Sequence, residues 1–128
     1  MAEIRKECSV TTADKVGKLA EITDKVKAAG VNIIALCAWT EGGTGRLVMV
    51  AEDAAKACDA IQPVVDKCEW GEAVCVKVAN KPGALEEVAK KLADAGVGIE
   101  MCYATAPKGE SATIVLHTTD NAKAVKVL

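Results

Sequence analysis

The chain repeats itself, and a repeat dictates architecture before any single residue does. Shifted by 66 positions, Asp14-Lys-Val-Gly-Lys-Leu-Ala-Glu-Ile22 lies over Asn80-Lys-Pro-Gly-Ala-Leu-Glu-Glu-Val88, and Ala29-Gly-Val-Asn-Ile33 over Ala95-Gly-Val-Gly-Ile99. Ten of the 25 positions from 14 to 38 are identical under this shift. Further on the offset becomes 67, with Leu47-Val-Met-Val-Ala-Glu-Asp53 over Ile114-Val-Leu-His-Thr-Thr-Asp120, so one residue has been inserted between the blocks. A single insertion of this kind belongs in a hairpin loop.

Each copy changes its hydrophobic period in the same order. Glu3 to Thr11 and Glu72 to Val78 alternate as strands, whereas Leu19, Ile22, Val26 and Ala29, with Leu85, Val88, Leu92 and Ala95, step by three and four as one helix face. Gly30 and Gly96 follow the last periodic residue, where a left-handed glycine closes a helix. Val31 to Trp39 and Val97 to Ala106 read as second strands. The turn-rich Glu41-Gly-Gly-Thr-Gly45 and Pro107-Lys-Gly-Glu110 then lead into third strands at Arg46 to Ala51 and Ser111 to Thr118. Asp53 and Asp120 are placed to cap second helices, the first of which Pro63 should end.

The expected fold is therefore α+β. Two ferredoxin-like βαββαβ units stand in tandem, with helices on one face of antiparallel sheets. The boundaries are 1–70 and 71–128. The first unit has a short fourth strand at Cys68 to Trp70, and the second lacks its last strand, either because the sequence is cut short there or because another chain completes that edge.

Composition narrows function by exclusion. Among 128 residues, 16 Lys and Arg stand against 18 Asp and Glu, and aromatic residues make up 2%. Neither a basic patch nor a base-stacking platform follows from that, so nucleic acid is not an expected partner. No apolar run approaches the roughly 18 residues of a spanning segment, and the N-terminus lacks a signal-peptide pattern, so the expected compartment is the cytoplasm, with no membrane partner. The six cysteines form no C-x-x-C pair and read as reduced core residues. His117, the only histidine, has no nucleophile motif, and no metal-ligand spacing is present, so no enzyme activity, metal or cofactor is expected. Glu41 to Gly45 lacks the Lys-Ser/Thr of a phosphate loop, and a hairpin turn explains it.

The strand-to-helix loops carry the candidate chemistry. Gly17 and Gly83 open helices whose unpaired amides and positive dipole end suit a carboxylate. Asp14 and Asn80, one short turn earlier, either cap the helix or accept hydrogen bonds from an ammonium group.

The segment from Asn80 to Ile99 resembles the strand-to-helix signature of ACT domains, small ferredoxin-like modules that bind amino acids as regulatory effectors. The first unit is similar but carries Val16 where that pattern has proline. The resemblance covers nearly the whole chain and implies a stand-alone, non-enzymatic tandem ACT protein, a homodimer or higher oligomer, that binds a free amino acid where two units meet. It implies a ligand against Asn80, Lys81, Pro82, Gly83, Ala84 and Leu85 in one unit and Asp14, Lys15, Val16, Gly17, Lys18 and Leu19 in the other, with the opposite wall from Asn32 and Ile33 or Gly98 and Ile99. The second-unit loop, stiffened by Pro82 and facing Asn32, is the tighter expected site. The competing readings are a ligand-free assembly module and a thiol-based redox sensor.

Overall fold

The computed structural model describes residues 2–128. Six strands and four helices follow in the order β1 (Ala2–Ala13), α1 (Lys18–Ala28), β2 (Ile33–Glu41), β3 (Thr44–Ala51), α2 (Ala54–Ile61), β4 (Lys67–Ala79), α3 (Ala84–Asp94), β5 (Ile99–Thr105), β6 (Ser111–Thr118) and α4 (Asn121–Val127). The strand pairings are antiparallel, and the chain has the α+β architecture of tandem ferredoxin-like units. No helix among the described residues is long and apolar enough to cross a membrane.

The chain divides into two compact units, one of Lys6–Gly71 and one of Glu72–Leu128 together with the stretch up to Arg5. The division falls within two residues of the boundary read from the repeat, except that the first residues of β1 group with the second copy. In the first unit the strands run β2-β3-β1, and the start of β4 lies along the free edge of β1, where the Asp66 N–H donates to the Thr11 carbonyl at 3.0 Å. Lys6 stands across from Trp70 there, its Nζ 5.4 Å from the ring centre. In the second unit the order is β5-β6-β4, with the start of β1 next to β4. Ala2–Arg5 thus take, beside β4, the place that the start of β4 takes beside β1 in the first unit. An edge that exposes unpaired amides is a liability, and this placement covers part of it.

The first core joins Cys8 and Val10 of β1, Ile22 and Val26 of α1, Leu47, Met49 and Ala51 of β3, and Ala57, Cys58 and Ile61 of α2. The strand members alternate, so α1 and α2 lie on one face of that sheet. The second core repeats the arrangement with Val74 and Val76, Val88 and Leu92, Ile114 and Leu116, and Ala124. β3 also buries Val48 and Val50, which point to the other face, so the strand reads as a continuous apolar run.

Local signals act where the repeat puts them. Asp53 and Asp120 accept hydrogen bonds from the Lys56 and Lys123 amides at 3.0 Å. Pro63 ends α2 in a short 3-10 turn, Gln62–Val64. Two expectations change. Leu19 and Leu85, in the first turn of their helices, do not join the cores and stay 47% and 49% exposed. The cysteines are not uniformly core residues: Cys8, Cys58 and Cys75 are buried, Cys37 and Cys68 are half-buried and Cys102 is exposed.

Replacing buried Leu92 by Ala is expected to cost about 2–5 kcal/mol in denaturant unfolding. The same change at half-exposed Leu85 is expected to cost less than about 1 kcal/mol. Equal losses would contradict this assignment of the helix face.

Burial, reinforced by the neighbouring Cys68, pushes the Cys58 thiol from its usual 9.0 up to about 12. Hydrogen bonding to Cys8 and burial push Cys68 up as well. Between these values the folded chain keeps a proton that the unfolded chain has released, so stability falls as pH rises. Urea midpoints are expected to drop above about pH 9 in the parent and to drop less in Cys58→Ala.

Candidate functional site

The loop from β1 to α1 is shaped by one glycine. Gly17 sits at φ +86° immediately before the helix, the Lys18 N–H closes a turn onto the Lys15 carbonyl at 3.1 Å, and the first helical bond runs from the Glu21 N–H to the Gly17 carbonyl at 3.0 Å. The Leu19 and Ala20 N–H groups precede that bond and point out of the helix start, carrying the positive end of the dipole. Neither Asp14 nor Asn80 caps its helix. Gly17 and Gly83 occupy the cap positions, with no side-chain cap bond, and the Asp14 carboxylate has no hydrogen bond among the described residues.

A cavity of about 210 Å³ opens beside this loop, entirely within the first unit. Asp14, Lys15, Lys18 and Leu19 form one side, and Trp39 and Arg46 of the β2–β3 hairpin form another, above a floor that includes Ile22 and Leu47. Trp39 and Arg46 are register partners across the hairpin, one step out of phase with Ala38 and Leu47, so their side chains project from the face opposite α1 and the cavity meets their backbone. Trp39 is 37% exposed.

The charges divide by role. Lys18 Nζ is held by Glu21 Oε1 at 3.1 Å and by the Val64 carbonyl at 2.9 Å, so it braces the helix start. Its hydrogen bond holds the Glu21 carboxyl below the usual range. Arg46 Nε lies 3.8 Å from Glu41 Oε2, a solvent-exposed pairing of the kind worth at most about 1 kcal/mol. Asp14 is the acidic residue lining the cavity, while Lys15, Lys18 and Leu19 of the helix start line it opposite. The cavity lies below the roughly 300–1,000 Å³ of sites for drug-sized ligands. Among the described residues no group of three or more His, Cys, Asp or Glu is placed to hold a metal ion.

No protein-family model and no curated protein matches this sequence. Solved structures do match. A protein of Bacteroides thetaiotaomicron superposes with a TM-score of 0.88 over 99% of this chain and 88% of its own, at 29% identity. The ligand-free regulatory subunit of aspartate kinase from Thermus thermophilus is similar at a TM-score of 0.70, covering 98% of this chain and 93% of that one at 14% identity. The corresponding subunit from Thermus flavus gives 0.65 over 99% and 90%, at 15% identity. The chain has the tandem ACT-domain fold.

In this tandem ACT chain the second loop repeats the first. Gly83 also sits at φ +86°, the Ala84 N–H reaches the Lys81 carbonyl at 3.3 Å, and the Glu87 N–H reaches the Gly83 carbonyl at 3.0 Å, leaving the Leu85 and Glu86 amides ahead of the first helical bond. Asn80 has a further duty. Its Nδ2 donates to the Pro107 and Gly109 carbonyls at 3.5 and 3.4 Å, and its N–H donates to the Glu110 carbonyl at 2.9 Å, so it ties the loop to the β5–β6 hairpin. Pro82 is exposed beside it.

The remaining expected residues take other places. Val16 is fully exposed and does not line the first-unit cavity. Asn32 and Ile33 lie at the opposite end of β2 from Trp39, and the Asn32 Nδ2 donates to Glu52 Oε1 at 3.2 Å. Gly98 is held in the second unit by Thr119, whose Oγ1 accepts its N–H at 2.9 Å, and Ile99 follows at the start of β5. Sequence reasoning did not find the part of the cavity wall that Ala38 to Thr40 and Gly45 to Leu47 of the β2–β3 hairpin supply.

A β-carbon added to Gly17 meets nothing within 4 Å, so replacement there costs only the strain of its left-handed backbone. Gly17→Ala is expected to lower stability by about 1–2 kcal/mol in chemical denaturation. A neutral result would mean the loop changes conformation.

Proposed function

We propose that this protein is a non-enzymatic regulatory module that binds a free amino acid at the β1–α1 loop of its first unit. The observation that carries the reading is the cavity of about 210 Å³ that Asp14, the start of α1 and the half-exposed Leu19 line together. The ligand's α-carboxylate is received by the Leu19 and Ala20 N–H groups, with Lys15 adding positive potential. Its ammonium group is received by Asp14, and its side chain lies along Leu19. The aspartate kinase subunits of the same fold are regulatory, which supports a role in control rather than in chemistry. The second-unit loop, Asn80 to Leu85, repeats the backbone geometry and is a second candidate position for the same ligand class. Control follows if the ligand favours one arrangement of subunits in a homodimer or higher oligomer over another.

Calorimetric titration against the twenty amino acids is the direct test, with light scattering of the same samples to read any change of assembly. One or a few amino acids are expected to bind. Asp14→Asn is expected to weaken binding by about 10- to 100-fold, the worth of one hydrogen bond to a charged group, without moving the unfolding midpoint. Absence of binding by every amino acid, or equal affinity of parent and Asp14→Asn, would sink the reading.

A further inference from the structure

Three of the six cysteines converge inside the first unit, from elements distant in the chain. Cys8 of β1 and Cys58 of α2 are buried in the first core, and Cys68 at the start of β4 packs against it half-buried. The Cys58 thiol donates to the Cys68 carbonyl at 3.8 Å, the Cys8 thiol to the Ala54 carbonyl at 3.5 Å, and Gln62 Nε2 to the Cys58 sulfur at 3.5 Å. The Cys68 thiol also hydrogen-bonds with both neighbouring thiols. Packing alone does not call for sulfur here. In the second unit the repeat sets Val74 and Val125 where the first has Cys8 and Cys58, and both valines serve the second core.

Position decides which two thiols can join. Lys67–Gly71 border β1, whereas the ladder of β4 with β6 begins only at Val74. Lys67, Glu69 and Trp70 are exposed. A short, exposed edge stretch opens locally at low cost, while β1 stays held by β3. Opening draws Cys68 away from Cys8 but leaves it tethered to Cys58 by the nine residues between them, and a short tether keeps one thiol concentrated at the other. It also lifts the burial that holds the Cys58 thiol protonated, and the Cys8 hydrogen bond and burial that hold Cys68 so, and frees both to react.

We propose that Cys58 and Cys68 form a reversible disulfide by exchange with a low-molecular-weight disulfide. Cys68, the more accessible of the two, loses its proton and attacks one sulfur of the reagent; a mixed disulfide forms, the reagent's sulfur–sulfur bond breaks, and one thiol leaves with that proton. The Cys58 sulfur then attacks the Cys68 sulfur, the bond from Cys68 to the reagent breaks, and a second thiol leaves with the Cys58 proton. The chain loses two hydrogens with their two electrons, and the reagent is reduced to two thiols. The bridge ties the start of β4 to α2 and encloses Val64, whose carbonyl holds Lys18 Nζ at 2.9 Å, so the thiol state reaches the start of α1. None of the three cysteines lines the first-unit cavity, so this inference stands or falls apart from the amino-acid reading.

The test treats the full folded chain with oxidised glutathione at about pH 8, quenches with acid and maps the cysteines by peptide mass spectrometry. A Cys58–Cys68 crosslinked peptide that dithiothreitol releases is expected as the main bridge, and exposed Cys102 is expected to take only a glutathione adduct. The bridge is expected to form about tenfold faster per pH unit from about pH 6.5 to 8, as the thiolate fraction rises. Cys68→Ser is expected to abolish it, and Cys58→Ser to leave Cys68 carrying glutathione. Urea-unfolded chain, in which the nearer Cys75 competes for Cys68, is expected to scatter its bridges. The proposal is overturned if Cys68 stays unmodified in the folded parent while Cys102 reacts, or if Cys8–Cys68 is the main bridge. It is equally overturned if the folded chain gives the same mixture of bridges as the unfolded one.

Discussion

Two long strands organise everything else in this chain. β1 and β4 are 12 and 13 residues long, about twice a typical strand, and each is divided between compact units. A ferredoxin-like unit needs a fourth strand beside its first, or its central amides face solvent. Lys67–Gly71 supply that strand in the first unit and Ala2–Arg5 in the second. The covalent continuity of each strand means that its two halves cannot slip in register independently, because a shift by one residue would exchange the faces on which Cys8 and Val10, or Val74 and Val76, meet their helices.

From that frame the loops inherit their positions. A helix that must pack Ile22 and Val26 on one face of the sheet begins where β1 leaves off. The chain reverses between Ala13 and Lys18 only by taking a left-handed glycine at position 17. The same turn recurs at Gly83, with the same φ of +86°. Two amides at each helix start are left without internal partners by this construction, and Leu19 or Leu85 is left half-exposed beside them. Polar donors next to an uncovered apolar side chain make a poor core and a suitable ligand wall.

The repeat is imperfect in ways that separate the units chemically. Lys18, which braces α1 through Glu21 and the Val64 carbonyl, is replaced by Ala84, and Arg46 aligns with Thr113. Asp14 is replaced by Asn80. The Asp14 carboxylate is without a hydrogen bond among the described residues, while Asn80 is engaged in holding its own loop.

The sequence by itself determined the order of elements, the hairpins, the caps at Asp53 and Asp120, the break at Pro63 and the glycine turns, because each of these is decided by residues within a few positions of one another. It also marked the two loops, since a glycine at the start of a helix leaves free amides wherever that helix is placed. The tertiary structure decided the rest. Which strand stands beside β4, that the β2–β3 hairpin joins Asp14 around a cavity, that Asn80 is engaged and Leu19 exposed, and that Cys102 lies exposed all depend on pairing between segments distant in the chain. Periodicity reports which side of an element is apolar, but only the packed sheet settles how far along the element that side remains covered.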